Sequence, residues 1–428
     1  YLDNGVKVKN NADITVTAGA KNVGAFVTKG STLTNDKTIK VGAVSGYVDG
    51  MGIYVQHGTA TNNAGKSIEV LDNSASSVSV AMAANGAAAA TSATIVNKGD
   101  IKVSGDAIGM NVGGYSTGTN TGKIIATDRG NLKAIGTYVN GANAKFTNTG
   151  TISTENIGLA LKDTTANKIL NSGTLKLTKT GAVGVYANNS VVDFNIAPTV
   201  ESTVDKTVAL YATGNTKIKS QITTAAGKSH VGVYAEGNAE FQSGSKVTVG
   251  DGIEDSGTTY YGIGIYTKSG YNKAANVNLK LNGSKAIGFY LGATGGTGST
   301  VTHTGTIDVG SGIGTYIPEH SKFIAQNTTF NVGNGGTAVY LKGGEADLGS
   351  TGTANINFTG SGRAVYQDGG TLTTGSGLHI TGTGSFLTLK NANSSINSLV
   401  EVGASGIGIN GIYDMTGKDY TLTLESPN

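Results

Sequence analysis

Along much of the chain apolar and polar residues alternate in short bursts, and one burst of six residues is written again and again. It reads AVGVYA at 182–187 and returns as TVALYA (207–212), HVGVYA (230–235), GIGIYT (262–267), AIGFYL (286–291), GIGTYI (312–317) and GTAVYL (336–341), and once more from Gly362 to Gln367, where RAVYQ follows the glycine. Earlier copies are NVGAFV (22–27), GMGIYV (50–55), AIGMNV (107–112), AIGTYV (134–139) and NIGLAL (156–161). The second, fourth and sixth positions are almost always Val, Ile, Leu, Met or Ala, a period of two that predicts a strand with one buried face. The third position, Gly or Ala, and the fifth, usually Tyr, are placed on the opposite face. Asn111 and Ala160 at the fifth position suit an outer surface, and tyrosines turned inward would need partners for their hydroxyls.

Two further strands complete each repeat. About ten residues before the tyrosine burst stands Asn-x-Gly-x-Ile/Leu-x-apolar, as NKGDIKV (97–103), NTGTIST (148–154) and NSGTLKL (171–177), with looser copies at 35–41, 63–70 and 303–309. Gly at that turn is expected for its tolerance of positive φ, and Asn for its bonds to neighbouring backbone. After the tyrosine comes a short strand, AKFT (144–147), VVDF (191–194), AEFQ (239–242) or SKFI (321–324). Three strands in a period of about 25 residues fit neither the four-stranded blade of a propeller nor a helical repeat. They predict an all-β, right-handed parallel β-helix, a solenoid of about sixteen triangular coils, with residues 1–428 forming a single segment. Asn at one corner of successive coils is expected to form a side-chain ladder. Residues 251–261, 113–130 and 292–299 depart from the repeat and are expected to be loops, and the alanine-rich 81–94, interrupted by Asn85-Gly86, a compact loop or degenerate coil. Alternation persists without clean tyrosine copies over 392–428. Because strands alternate up to both termini, the parent chain is expected to continue on at least one side.

Composition narrows the partners. Sixty-seven glycines without a three-residue period exclude collagen, and three prolines argue against a disordered low-complexity chain. A net charge of +3 gives no reason to expect nucleic acid or a membrane surface. There is no cysteine, so disulfides and thiolate metal sites are impossible. No apolar run is long enough for a membrane helix.

Chemistry is sparse. A polysaccharide-cleaving β-helix needs clustered carboxylates or a strong base on one face. Arginine occurs only at 129 and 363, no acidic residue recurs at coil spacing, and the histidines at 57, 230, 303, 320 and 379 lie too far apart for a triad. The chain is therefore read as not an enzyme, with no catalytic residues, no metal site and no cofactor. The tyrosine column is read first as a structural stack. The insertion is the better binding candidate: Asp251, Asp255, Tyr260, Tyr261 and Tyr271 combine acidic acceptors with aromatic faces, as sugar or basic-patch recognition requires.

Long cysteine-free β-helices built from N-x-G-x-I and G-I-G-I-Y copies resemble type V autotransporter passengers of Gram-negative bacteria, most closely the large fusobacterial outer-membrane adhesins of the RadD type. The likeness covers nearly the whole chain. It implies an adhesive stalk on the cell surface, anchored in the outer membrane by a C-terminal barrel not present here, with a protein or glycan receptor on other bacteria or host cells as partner. Neither nucleic acid nor cofactor is implied, and the motifs carry over no binding residue. An autotransported polysaccharide-active or proteolytic enzyme and a plain structural spacer are the other readings.

Overall fold

A computed structural model describes residues 1–16, 19–42, 48–71, 78–389 and 394–398. The alternation of 392–398 is met by a strand at Ser394–Ser398, while that of 399–428 lies outside the described residues. The chain divides into two compact units, Tyr1–Tyr211 and Ala212–Asn428. Each is a β-solenoid whose coils pair through parallel strands. The only helical turn among the described residues is the three-residue 3-10 turn Ala89–Thr91.

In the first unit the three strands of each coil fall into three separate sheets. Seven strands, from Lys7–Asn10 to Ile169–Asn171, form one; eight, from Ile14–Val16 to Thr199–Val200, form the second. The third carries the tyrosine bursts and has eight strands ending at Val208–Thr213. In-register pairing stacks like on like. Ile39, Ile68, Ile101, Ile124, Ile152 and Leu175 form one column, none more than 2% exposed. Burial of such side chains is worth about 2 kcal/mol each and is the main source of coil-to-coil cohesion. The stretch 113–130, expected to be irregular, is an ordinary coil with strands Ser116–Asn120 and Lys123–Thr127. Its hydrophobic signal was hidden because Gly118 takes a core position under Val112 and Phe146. The alanine-rich stretch is a coil too, with strand Ser79–Gly86.

The expected asparagine ladder runs along the corner between the first two sheets. Asn10, Asn35, Asn62, Asn97, Asn120, Asn148 and Asn171 are joined in sequence, each side-chain amide donating to the next side-chain carbonyl at 2.7–2.9 Å. The residue in the third place is Asn62 rather than the Asn63 of the sequence motif; Asn63 bonds Asp36 instead. The turn glycines that follow have a different role from the one expected. A Cβ on Gly122 would collide with Gly99 O, and one on Gly150 would collide with Gly122 O. Their φ angles are not positive. The turns stack too closely for a side chain, which is why glycine is required.

The tyrosine burst also differs from its simplest reading. Val185 and Ala187 are fully buried and Tyr186 is half-buried on the outside, as expected. Gly184, however, faces inward beside Val185, so two consecutive residues are buried and Val183 is turned part-way out. In the equivalent place, a Cβ on Gly136 would meet Gly158 O and Ile152 Cγ2, each at 2.5 Å. The small residue lets the backbone press against the next coil and the isoleucine column, which breaks strict alternation.

In the second unit seven strands, from Val231–Ala235 to Ser385–Leu389, carry the tyrosine face. With the eight of the first unit this makes fifteen over the described residues, close to the number of coils expected. The other two faces merge into long strands, Glu240–Val249, Asn272–Leu281, Thr300–Gly310 and Lys322–Val332, which turn the corner through register shifts such as that between His303 and Gly305. His303 fills the corner place that Asn holds in the first unit. It is fully buried, with Nε2 2.9 Å from Val277 O and Nδ1 3.0 Å from Thr328 Oγ1, and its ring packs on Phe289 and Phe323. Burial pulls its pKa down to about 4, so it is neutral at physiological pH.

Candidate functional site

The insertion at 251–261 folds as a hairpin on the second unit. Strands Ile253–Asp255 and Thr258–Tyr260 run antiparallel, against the parallel pairing of the coils. The two connecting residues, Ser256 and Gly257, have φ of 51° and 75°, the paired left-handed geometry whose twist matches that of a tight hairpin. At its base the N–H groups of Gly252 and Gly262 both donate to Lys285 O, at 3.1 and 2.9 Å. The hairpin therefore leaves and re-enters the coil at one point.

The five residues singled out in the sequence take different roles. Asp251 is a fastener: its Oδ1 accepts the Lys285 N–H at 2.8 Å, and its own carbonyl accepts the Gly227 N–H. Tyr271 lies in the core, 2% exposed, with its hydroxyl donating to Ala239 O at 2.8 Å and its pKa raised by burial. It presents no surface to a ligand, a correction to the sequence reading. An aromatic beside a Gly turn reads alike whether it points in or out until its coil neighbours are known. Asp255 and Tyr260 do come together, through Lys228. The Lys228 ammonium lies 2.5 Å from the Asp255 carboxylate and 5.4 Å from the centre of the Tyr260 ring. Hydrogen bonds from Lys228 and Ser256 hold the Asp255 carboxyl below its usual range. Lys228 was missed because it sits on the preceding coil, and nothing local in the sequence pairs it with the hairpin.

Tyr261, half-buried at the foot of the hairpin, lies near the tyrosine row; after burial and the neighbouring rings and charges, it adds to the rise in the phenol pKa of Tyr316 and Tyr340. The hairpin also exposes Ile253, Glu254, Thr258 and Thr259. Charge, aromatic surface and an apolar side chain thus meet on one exposed projection. A second surface feature is a groove of about 550 Å³ in the first unit, lined among others by Lys40, Glu69, Lys102, Val70, Val103 and Ile125. Glu69 lies 3.9 Å from Lys40 and 3.4 Å from Lys102, so its charges are largely matched. Among the described residues no three His, Asp or Glu side chains converge as a metal site.

Residues 1–197 match the family described as BigA third pectate lyase-like domain. No curated protein matches the chain. The resemblance to the pectate lyase-like domain falls on the three-sheet unit and covers the whole asparagine ladder. It agrees with the parallel β-helix seen in the structure. The hairpin lies outside the matched residues.

Proposed function

We propose that this chain is a segment of a bacterial cell-surface adhesin of the autotransporter passenger type, which attaches to other bacteria or to host cells through a protein or glycan receptor. The observation that carries the reading is the hairpin, a projection with no part in coil stacking that combines the Lys228–Asp255 pair with Tyr260. Coil sides must stay regular to stack, whereas such projections vary at little cost to stability. The likeness of residues 1–197 to a pectate lyase-like domain supports a β-helix scaffold, and the repeat wording supports export to the outer-membrane surface. On this reading the protein binds without catalysis, metal or cofactor.

The experiment compares the purified protein with a variant in which 253–260 is excised and Gly252 joined to Tyr261, next to the point where Gly252 and Gly262 are both held at Lys285 O. Binding to bacteria, epithelial cells and a glycan array is measured beside thermal unfolding. The expected outcome is an unchanged unfolding midpoint with binding reduced at least tenfold. Unaltered binding by the excised variant overturns the hairpin as the contact. A polysaccharide-acting enzyme is the other reading, favoured by the pectate lyase-like match; release of new sugar ends from polygalacturonate or a bacterial polysaccharide would establish it.

A further inference from the structure

Six tyrosines of the second unit, Tyr234, Tyr266, Tyr290, Tyr316, Tyr340 and Tyr366, stand on successive coils in one row. Their ring centres are separated by 5.1, 5.3, 4.9, 5.3 and 4.7 Å, with interplanar angles between 13° and 31°. Strand pairing sets this: Tyr234↔Tyr266, Tyr266↔Tyr290, Tyr290↔Tyr316, Tyr316↔Tyr340 and Tyr340↔Tyr366 are register partners in parallel ladders. Each inner ring is covered on both faces by its neighbours, which leaves little face for a sugar to stack on. The rings are half-buried, so their edges remain within reach of solvent.

We propose that this row is an oxidative modification site, at which adjacent tyrosines are joined by carbon–carbon dityrosine bonds and the coils of the second unit are stapled covalently. The co-reactant is a peroxide acting through a one-electron oxidant such as a haem peroxidase. Each of two phenols loses one electron and one proton to give a phenoxyl radical. The two radicals couple at ring carbons beside the oxygens, and the hydrogen on each coupled carbon leaves as a proton while each oxygen takes one up, which restores both phenols. Each bond thus removes two hydrogens in all, and one hydrogen peroxide is reduced to two waters. Coupling is fast only when radicals meet, and here every partner is already in contact, held by the backbone of a neighbouring coil. A radical formed anywhere along the row has a neighbour at contact distance. At one end the Arg363 guanidinium lies 5.4 Å from the Tyr366 ring, and a cation there disfavours loss of an electron, so coupling concentrates on the inner pairs. The buried Tyr271 and the hairpin's Tyr260 have no tyrosine ring stacked on them among the described residues and serve as internal comparisons.

The test treats the full chain with peroxidase and hydrogen peroxide at low protein concentration, then isolates monomer and reads dityrosine fluorescence and cross-linked peptides by mass spectrometry. The expected products are intramolecular links Tyr266–Tyr290, Tyr290–Tyr316 and Tyr316–Tyr340, each lighter by two hydrogens, and a raised urea midpoint. Tyr290→Phe, which keeps the ring and the stack, should abolish the first two links and leave Tyr316–Tyr340 intact. Oxidation in strong denaturant should lose this pattern. Links found only in dimers, links distributed among tyrosines irrespective of the row, or monomer free of dityrosine while a free tyrosine control couples would each overturn the proposal.

Discussion

Asn97 is the position at which the asparagine ladder can be tested most sharply. It is fully buried, its amide donates to Asn120 Oδ1 at 2.8 Å and to Gly99 O at 3.0 Å, and its Oδ1 accepts from Asn62 at 2.9 Å. Asn97→Ala removes these three bonds and a long one to Lys123 O at 3.5 Å, and strands the Asn120 side-chain carbonyl oxygen in a corner closed to water, whereas Gly99 O keeps the Lys123 N–H at 2.9 Å. A lost bond that leaves a buried partner unsatisfied costs about 1–3 kcal/mol. Asn62 retains weaker bonds to Lys66 O and Asp100 O at 3.4 Å, so its share is small. The expected total is about 2–4 kcal/mol. Asn171 is half-buried, and the one ladder bond assigned to it is the 2.7 Å acceptance from Asn148, so Asn171→Ala should cost about 1 kcal/mol. Urea unfolding of both variants, followed by hydrogen exchange over residues 93–127, measures the difference and its location. Equal destabilisation, or loss of protection no greater near Asn97 than elsewhere, would refute the view that the ladder sets the register of the first unit.

Val185→Asp buries an unpaired charge at a fully enclosed position and should cost about 4 kcal/mol or more, whereas Tyr186→Ser loses one half-exposed ring stacked at 5.3 Å on Tyr211 and should cost about 1–2 kcal/mol; chemical denaturation ranks them. Gly136→Val drives methyl groups into Gly158 O and Ile152 and should cost about 3 kcal/mol, with Gly136→Ala milder because Ala209 and Ala338 hold equivalent places in other coils, as thermal melts would register. His303 has a folded-state pKa near 4 against an ordinary value of 6.5, so the unfolded chain binds the extra proton first. Its contribution is complete above about pH 6.5 and declines by on the order of 3 kcal/mol as pH falls towards 4. In His303→Gln, urea midpoints measured between pH 7 and 4 should lose that part of their acid dependence.

The repeat, the strand identity and the corner ladder were legible in the sequence because a parallel solenoid stacks each residue on its own copy one coil away. Local pattern and tertiary contact then carry the same information, and the Ile39 to Leu175 column is both a periodicity and a core. The sequence misread what depends on how closely backbones approach. Turn glycines such as Gly150 read as positions of positive φ and Gly136 as a small outward residue, yet carbonyl oxygens of neighbouring coils are what exclude a side chain at both. The coil at 113–130 looked irregular because its core place is held by glycine under Val112 and Phe146. The candidate site was legible only as an interruption. That Asp251 fastens Lys285, that Tyr271 turns inward to Ala239, and that Lys228 bridges Asp255 and Tyr260 were decided by tertiary structure. An insertion has no copy on the next coil to fix its orientation, so its side chains take the partners that folding brings near from distant positions in the chain.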